Sequence, residues 1–395
     1  MKKWISLMLV LVMTVTLLAG CGDQNKPGAS AQSGEATGVF YELTGIAPET
    51  VVMTVSGSEI TAEEYLYWLS YLCASTEYNI ISYNAYYGYY ADLVNDDGSI
   101  NWEGEYKEGT TLAEYVREET ESTIKFYTAI KIMAQNYGAG LDTEDMTAIA
   151  NNMNSAIQEL GGQEAFDQYL EKLGICQSTF QDLSASSFLF DNLLLLVLEE
   201  GTDLYLEPEN YNKYASYADH ILLMTIDSAS GKPLSADEIE NRKNQIEDIL
   251  AQLKAADDLE ATFKQLADEY SEDTGRANNP NGYIFTPGTM VASFEEAVAA
   301  LEPGQISDVV ESDYGFHIIL RRDLLEGLEA DPEQRVALAE THLTTLLTLL
   351  SNEATVEISK LVSDIDIAEF YTAYELHAEE LTKSSAQTAE TGAGN

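Results

Sequence analysis

Two of the chain's four histidines, His220 and His317, fall inside short apolar runs that read as β-strands, at 217–226 and 316–321. An imidazole can take up or give away a proton near neutral pH, so such a pair either takes part in chemistry or ties two strands together. No Ser/His/Asp motif for hydrolysis accompanies them. No His/Cys group has zinc spacing, and the acidic loop Asn95-Asp96-Asp97-Gly98-Ser99 lacks the alternating ligands of a calcium loop, so no metal is expected. Of the three cysteines, Cys73 and Cys176 fit either buried free thiols, the simpler reading, or one bridge in an oxidising compartment.

The 395 residues include 20 Lys and Arg against 67 Asp and Glu, a net charge of -47, with 45% hydrophobic and 22% charged residues. That balance is globular, and the length implies about two or three folding units. Nucleic acid is excluded as a partner, because phosphate affinity needs clustered Lys and Arg. Lys2, Lys3 and the apolar run 4–19 read as an export signal over 1–20, too short to span a bilayer. Its end, Leu18-Ala19-Gly20-Cys21, resembles the bacterial lipobox, which implies lipidation of Cys21. Two acyl chains would anchor the protein to the extracytoplasmic face of the cell membrane, and a Gly-, Ser- and Ala-rich tether over 21–39 would follow. Losing Lys2 and Lys3 moves the net charge from -47 to -49.

The positions and caps of the elements point to helices around an α+β centre. A strand at 51–55 turns at 56–58, and Thr61 with Glu64 has capping-box spacing for a helix through Leu72. A tyrosine-dense stretch, 78–90, and a Gly-rich loop come next. Helical periodicity returns over 112–137, stopping at Gly138, and again over 143–160, 163–173 and 178–200. After Pro208 the pattern is mixed. It gives a strand at 217–226, a helix capped by Ser235 and Glu238 to about 255, a helix at 259–270 and a strand at 283–285. A helix at 294–301 and strands at 306–311 and 316–321 complete the unit. Helices then cover 331–350 and 366–377, and the tail 381–395 is small, polar and expected to be disordered.

Four pieces of the mixed segment resemble the parvulin family of peptidyl-prolyl isomerases. Ala218-Asp219-His220-Ile221-Leu222-Leu223 is similar to the family's first strand, and Leu266-Ala267-Asp268-Glu269-Tyr270-Ser271-Glu272-Asp273 to the helix end that carries an Asp or Cys. Gly288-Thr289-Met290-Val291 with Phe294-Glu295 resembles the segment of the proline pocket, and Tyr314-Gly315-Phe316-His317-Ile318-Ile319 the closing strand. The resemblance implies a four-stranded antiparallel-type sheet with surrounding helices over 212–324. It implies catalytic His220, Asp273 and His317, with substrate-binding Met290, Phe294 and Phe285, and no cofactor. One departure stands out. Where the family has Gly-Gly-Asp-Leu-Gly, this chain has Asn279-Pro280-Asn281-Gly282-Tyr283-Ile284-Phe285, which puts the pocket rim in question. Only Lys232 is basic in 227–234, so phospho-Ser-Pro substrates are not expected.

The outer segments, 40–210 and 330–380, resemble more weakly the chaperone domain of extracytoplasmic foldases of the PrsA/SurA-like type. The parvulin module would then be inserted in a mostly helical, discontinuous domain. Tyr83, Tyr86, Tyr87, Tyr89 and Tyr90 could line a groove for unfolded clients, or they could pack a loop onto the helices or decorate the surface. The expected function is a membrane-anchored foldase. It would isomerise X-Pro bonds in exported, partly folded polypeptides and hold those chains meanwhile. The alternative is a holdase with an inactive parvulin module. A two-lobed solute-binding lipoprotein fits poorly, because the first half is almost wholly helical.

Overall fold

The computed structural model describes residues 37–392, with side chains through residue 383. The signal 1–20, Cys21 and nearly all of the tether lie outside these residues. The chain divides into two units. One combines the residues up to Leu196 with those from Thr345 onward, and the other is Val197–Thr344.

The first unit opens with helix α1 (Val39–Thr44) and the hairpin β1 (Val51–Val55) and β2 (Ser58–Thr61). Ser56 and Gly57 both take positive φ, at 50° and 85°, the two-residue turn whose twist suits a tight hairpin. Thr61 accepts the Glu64 N–H at 3.3 Å and starts α2 (Ala62–Tyr87). This helix does not end near Leu72. No Gly or Pro interrupts it before Gly88, so the tyrosine-dense stretch is helical to Tyr87. A short ladder, β3 (Glu105–Lys107) with β4 (Thr110–Thr111), precedes α3 (Leu112–Tyr137), which Thr111 and Glu114 cap reciprocally. Next come α4 (Thr143–Glu159), α5 (Gln163–Leu173) and α6 (Gln177–Leu198). Length and composition alone would let α6 cross a membrane, but Leu193, Leu194 and Val197 are fully buried. Cys73 and Cys176 are free thiols; Cys73 is buried, and Cys176 is exposed rather than buried.

The second unit is built on a four-stranded antiparallel sheet. In chain order it contains β5 (Ser216–Met224), α7 (Ala236–Lys254), α8 (Leu259–Tyr270), β6 (Tyr283–Phe285), α9 (Ala292–Ala299), β7 (Val310–Ser312) and β8 (Gly315–Arg321). Helix α10 (Leu324–Ala330) follows, then α11 (Pro332–Glu353), whose C-terminal part extends past the unit's limit at Thr344. The strand order is β6-β5-β8-β7. Strand β7 is shorter than its apolar pattern suggests. Ile306 makes only a lone bridge to Leu320, and Ser307 holds Ile319 through its N–H (2.8 Å) and its hydroxyl (2.9 Å).

The sheet's pleat gives it two faces. On one, Ile221, Leu223, Phe316, Ile318 and Leu320 pack against Ile246, Ile249 and Leu253 of α7 and Phe263, Leu266 and Ala267 of α8. Each fully buried aliphatic or aromatic side chain there contributes about 1.5–3 kcal/mol. On the other face, Ala218 and Ile319 meet Phe285, Phe294 and Val298.

The chain then returns to the first unit. Strand β9 (Val356–Ile358) adds to β1 antiparallel, with Met53 opposite Ile358 and Val55 opposite Val356, giving the order β2-β1-β9. Helix α12 (Lys360–Ser363) leads to α13 (Ile367–Gly392), where Phe370 and Tyr374 pack their rings 6.1 and 5.9 Å from Phe40. Helix α13 continues through residues 381–392 of the expected tail, and 393–395 lie outside the described residues. Residues 378–391 hold no Gly or Pro and are rich in the helix formers Ala and Glu.

Arg117 of α3 joins the two chain segments of this unit, donating to Val362 O at 2.8 Å and to Ile365 O at 2.6 Å. Hydrogen bonds from a charged donor are worth about 1.5–3 kcal/mol. Arg117→Met is therefore expected to cost about 2 kcal/mol in urea unfolding. Fluorescence of Trp68 and Trp102, both in this unit, reads the transition. An unchanged midpoint would contradict the assigned role.

Candidate active site

Register brings the two histidines together. In the β5–β8 ladder His220 pairs with Ile319 and Leu222 pairs with His317, so the histidines are diagonal neighbours on one face. Their ring centroids lie 5.4 Å apart, edge to face.

Asp273 arrives by another route. Beyond Ala218 the edge of β5 is no longer covered by β6, and the chain leaving α8 takes its place. The Leu222 N–H donates to Ser271 Oγ (3.2 Å), the Glu272 N–H to Leu222 O (2.8 Å), and the Met224 N–H to Glu272 Oε2 (2.7 Å). Asp273 is thereby held beside His220, with Oδ2 3.3 Å from His220 Nε2. The Tyr283 hydroxyl donates to the same oxygen at 2.5 Å, and the Gly275 N–H donates to Oδ1 at 3.0 Å. Burial opposes ionisation of Asp273. The contacts from His220, Tyr283 and Gly275 outweigh it and hold the carboxyl well below the usual carboxylate range. Burial, together with the carboxylate it serves, pushes the Tyr283 hydroxyl up.

His317 is buried, and its Nε2 lies 2.7 Å from Ser312 Oγ. Burial and the neighbouring His220 lower its pKa to about 4, against the pull of Asp273, so the ring is neutral at neutral pH. His220 Nε2 faces Asp273, while Nδ1 of His220 and Nδ1 of His317 have no hydrogen-bond partner among the described residues. Buried polar atoms are nearly always satisfied, so two unpartnered imidazole nitrogens beside one apolar cluster single this place out as a candidate site.

The apolar half of the site packs against these rings. Phe294 of α9 sits 5.3 Å from His220 and 5.8 Å from His317, and Phe285 of β6 sits 5.9 Å from Phe294. Half-buried Met290 packs on the same cluster. The Glu295 carboxylate fixes its turn, accepting the Gly288 N–H (3.0 Å) and the Met290 N–H (2.8 Å). Thus His220, Asp273, His317, Met290, Phe294 and Phe285 all converge.

Three contributors were not anticipated from sequence. Tyr283 stacks on His220 at 5.7 Å as well as capping Asp273. The alternation that places Phe285 on this face also places Tyr283 there, so the signal was available. Ser312, near the turn into β8, had no such signal. The third is an ion pair beneath the site. Asp219, 1% exposed, accepts the His220 N–H (2.8 Å) and Arg276 Nη1 (2.7 Å), while Arg276 also reaches Asp268 at 2.9 Å. This pair clamps the loop after Asp273 to β5. The altered pre-pocket segment has its own geometric reason: Gly282 has φ +101°, and a Cβ there would lie 2.5 Å from the Ala218 carbonyl oxygen.

Removing Arg276 leaves Asp219 buried and largely uncompensated. Arg276→Met should cost about 3 kcal/mol, read as faster amide exchange along β5; unchanged exchange would contradict the clamp. His317 predicts a pH effect. Its folded pKa is depressed, so the unfolded chain takes up a proton that the folded protein refuses. Stability contributed by this group is present above pH 6.5 and is lost as pH falls toward about 4. His317→Asn should flatten that part of the profile, leaving the contribution of His342, also held down by burial, and the opposing one of Glu375, whose carboxyl is raised to about 7. An identical slope in the variant would contradict the assignment.

Residues 220–323 match the Rotamase family, the PPIC-type PPIASE domain. The foldase protein PrsA of Oceanobacillus iheyensis is 42% identical over 108 residues, covering 27% of this chain and 36% of that relative. PrsA of Staphylococcus epidermidis is 27% identical over 221 residues, covering 55% of this chain and 62% of that relative. The chain therefore matches less than two thirds of the length of these curated relatives. A crystal structure of the peptidylprolyl isomerase PrsA from Bacillus cereus aligns over 73% of this chain and 97% of its own, with 20% identity and a TM-score of 0.30. Two histidines, a clamped aspartate and a Phe/Met cluster on one face of an antiparallel sheet, in a segment with this match, identify residues 220–323 as a parvulin-type peptidyl-prolyl isomerase domain.

Proposed function

We propose that the protein is a membrane-anchored extracytoplasmic foldase that catalyses cis/trans isomerisation of X-Pro bonds in exported, partly folded polypeptides. The observation that carries this reading is the placement of His220, Asp273 and His317 against the apolar cluster of Met290, Phe285 and Phe294 on one face of the sheet. A proline ring fits the apolar half, and the flanking carbonyl falls within reach of the polar half.

Rotation about an X-Pro bond faces a barrier of about 18–20 kcal/mol, because amide resonance must be broken. The planar amide is charge-separated and the twisted amide is less so. A dry pocket therefore disfavours the ground state more than the transition state. The ionised Asp273 adds to this effect, since negative charge near the carbonyl oxygen opposes resonance build-up on that oxygen. With Nε2 of His220 on Asp273 and Nε2 of His317 on Ser312, the two rings orient the amide through Nδ1, and no covalent bond to the substrate is made. A thousandfold acceleration asks for about 4 kcal/mol from these effects together.

The extracytoplasmic setting and the lipid anchor rest on the 1–20 signal and Cys21 in the sequence. Holding of clients is assigned to the helical unit.

The test is catalysis of short X-Pro peptides and of a proline-limited refolding reaction by the full mature chain. Asp273→Ala and His220→Ala should each lower kcat/KM at least about tenfold in folded protein, and Phe294→Ala should act mainly through KM. Tyr283→Phe, which keeps the ring and loses the donor, should cost a few-fold. Absence of any acceleration by the folded wild-type chain would contradict the enzyme reading and leave a client-holding protein.

A further inference from the structure

The C-terminal end of α2 presents an aromatic surface that the isomerase site does not use. Tyr78, Tyr83, Tyr86, Tyr87 and Tyr89 are 72%, 51%, 84%, 64% and 73% exposed. Three of these rings associate with Tyr87, at 6.0 Å (Tyr83), 6.3 Å (Tyr86) and 5.3 Å (Tyr89, stacked). Soluble proteins seldom leave so many large rings together in water without a binding role. No charged residue occurs between Glu77 and Asp92, so the tip itself is neutral.

Its surroundings are not. In the chain that follows, residues 92–108 hold six carboxylates (Asp92, Asp96, Asp97, Glu103, Glu105 and Glu108) and a single lysine, Lys107, which pairs with Glu118 at 3.3 Å. Aromatic faces on a chain of net charge -47 attract cations twice over, through the ring quadrupole and through the overall field. The same field selects against other occupants. A second copy of a chain with a net charge of -47, an anionic lipid surface and nucleic acid are all repelled.

We propose that this tyrosine tip is a docking surface for Lys- and Arg-bearing unstructured polypeptide segments. The proposal deepens the foldase reading by naming the chemistry of the clients it holds. It rests on that reading for the occupant being an unfolded chain, and it does not depend on isomerase turnover.

The experiment uses the full mature chain and three unstructured 20-residue probes of Gly and Ser carrying Lys, Gln or Glu at the same positions. Fluorescence anisotropy should show the Lys probe binding, weakening as salt rises, with the Gln probe weaker and the Glu probe not bound. The triple variant Tyr86→Ser, Tyr87→Ser, Tyr89→Ser changes no charge. It should weaken the Lys probe about tenfold while leaving X-Pro turnover unchanged, and the corresponding triple Phe variant should keep most of the affinity. Unchanged affinity in the Ser variant would overturn the proposal by placing the contact elsewhere on the acidic surface. Equal binding of all three probes would overturn the cation preference. A shift of the wild-type chain from dimer to monomer in the Ser variant would make the tip a self-interface instead. Failure of the foldase reading would appear separately, as a wild-type chain that binds the Lys probe but does not accelerate X-Pro isomerisation.

Discussion

The antiparallel register of β5 against β8 is the constraint on which the site depends. Because His220 faces Ile319 and Leu222 faces His317, both imidazoles project from the same side of the sheet, one diagonal step apart. A slip of one residue would turn one of them toward α7 and α8, into the cluster of Ile221, Phe263 and Ile318. That cluster enforces the register. Its buried side chains supply far more stabilisation than two polar rings on the opposite face cost, so the apolar side of the sheet holds the polar side in position.

The polar side has its own reinforcement at the backbone. Asp219 is covalently next to His220, accepts its N–H and pairs with Arg276, three residues past Asp273. Burial pushes the Asp219 carboxyl up, against the charge of Arg276 and the donated hydrogen bonds. Buried ion pairs add little net stability, and their value lies in fixing geometry. Here the pair fixes a loop that is also tied to β5 by the Ser271 and Glu272 contacts, by Asp273 against His220, by the Tyr217 hydroxyl donating to Asn281 O and by the close crossing of Gly282 over Ala218. Tyr283, with its ring on His220 and its hydroxyl on Asp273, then takes up the space between that loop and the sheet.

Much of this was legible in the sequence, and the illegible parts share a physical cause. Helices with local signals were readable: Ser235 with Glu238, Thr61 before α2 and Gly138 after α3 depend only on neighbours within a few residues. Strand β9 was not readable, because Val356-Glu357-Ile358 is too short to announce itself and its partner β1 lies at the other end of the chain. The tyrosines of α2 look like a loop by intrinsic preference, yet Ile80 packs into the core near the helix end and no breaker intervenes. Among the candidate site residues, His220, Asp273, His317, Met290, Phe294 and Phe285 were named through motif resemblance. Arg276 and Ser312 were not, since a buried arginine and a histidine's hydroxyl partner are defined by tertiary contacts alone.

The most direct measurement is two-dimensional exchange NMR of a short X-Pro peptide with the full mature chain, combined with intermolecular NOEs from labelled Met290. The account predicts cis–trans exchange cross-peaks that are absent without protein, and contacts between the proline ring and the Met290 methyl group. Exchange with NOEs to another part of the protein, or a peptide seated on Met290 without enhanced exchange, would contradict it.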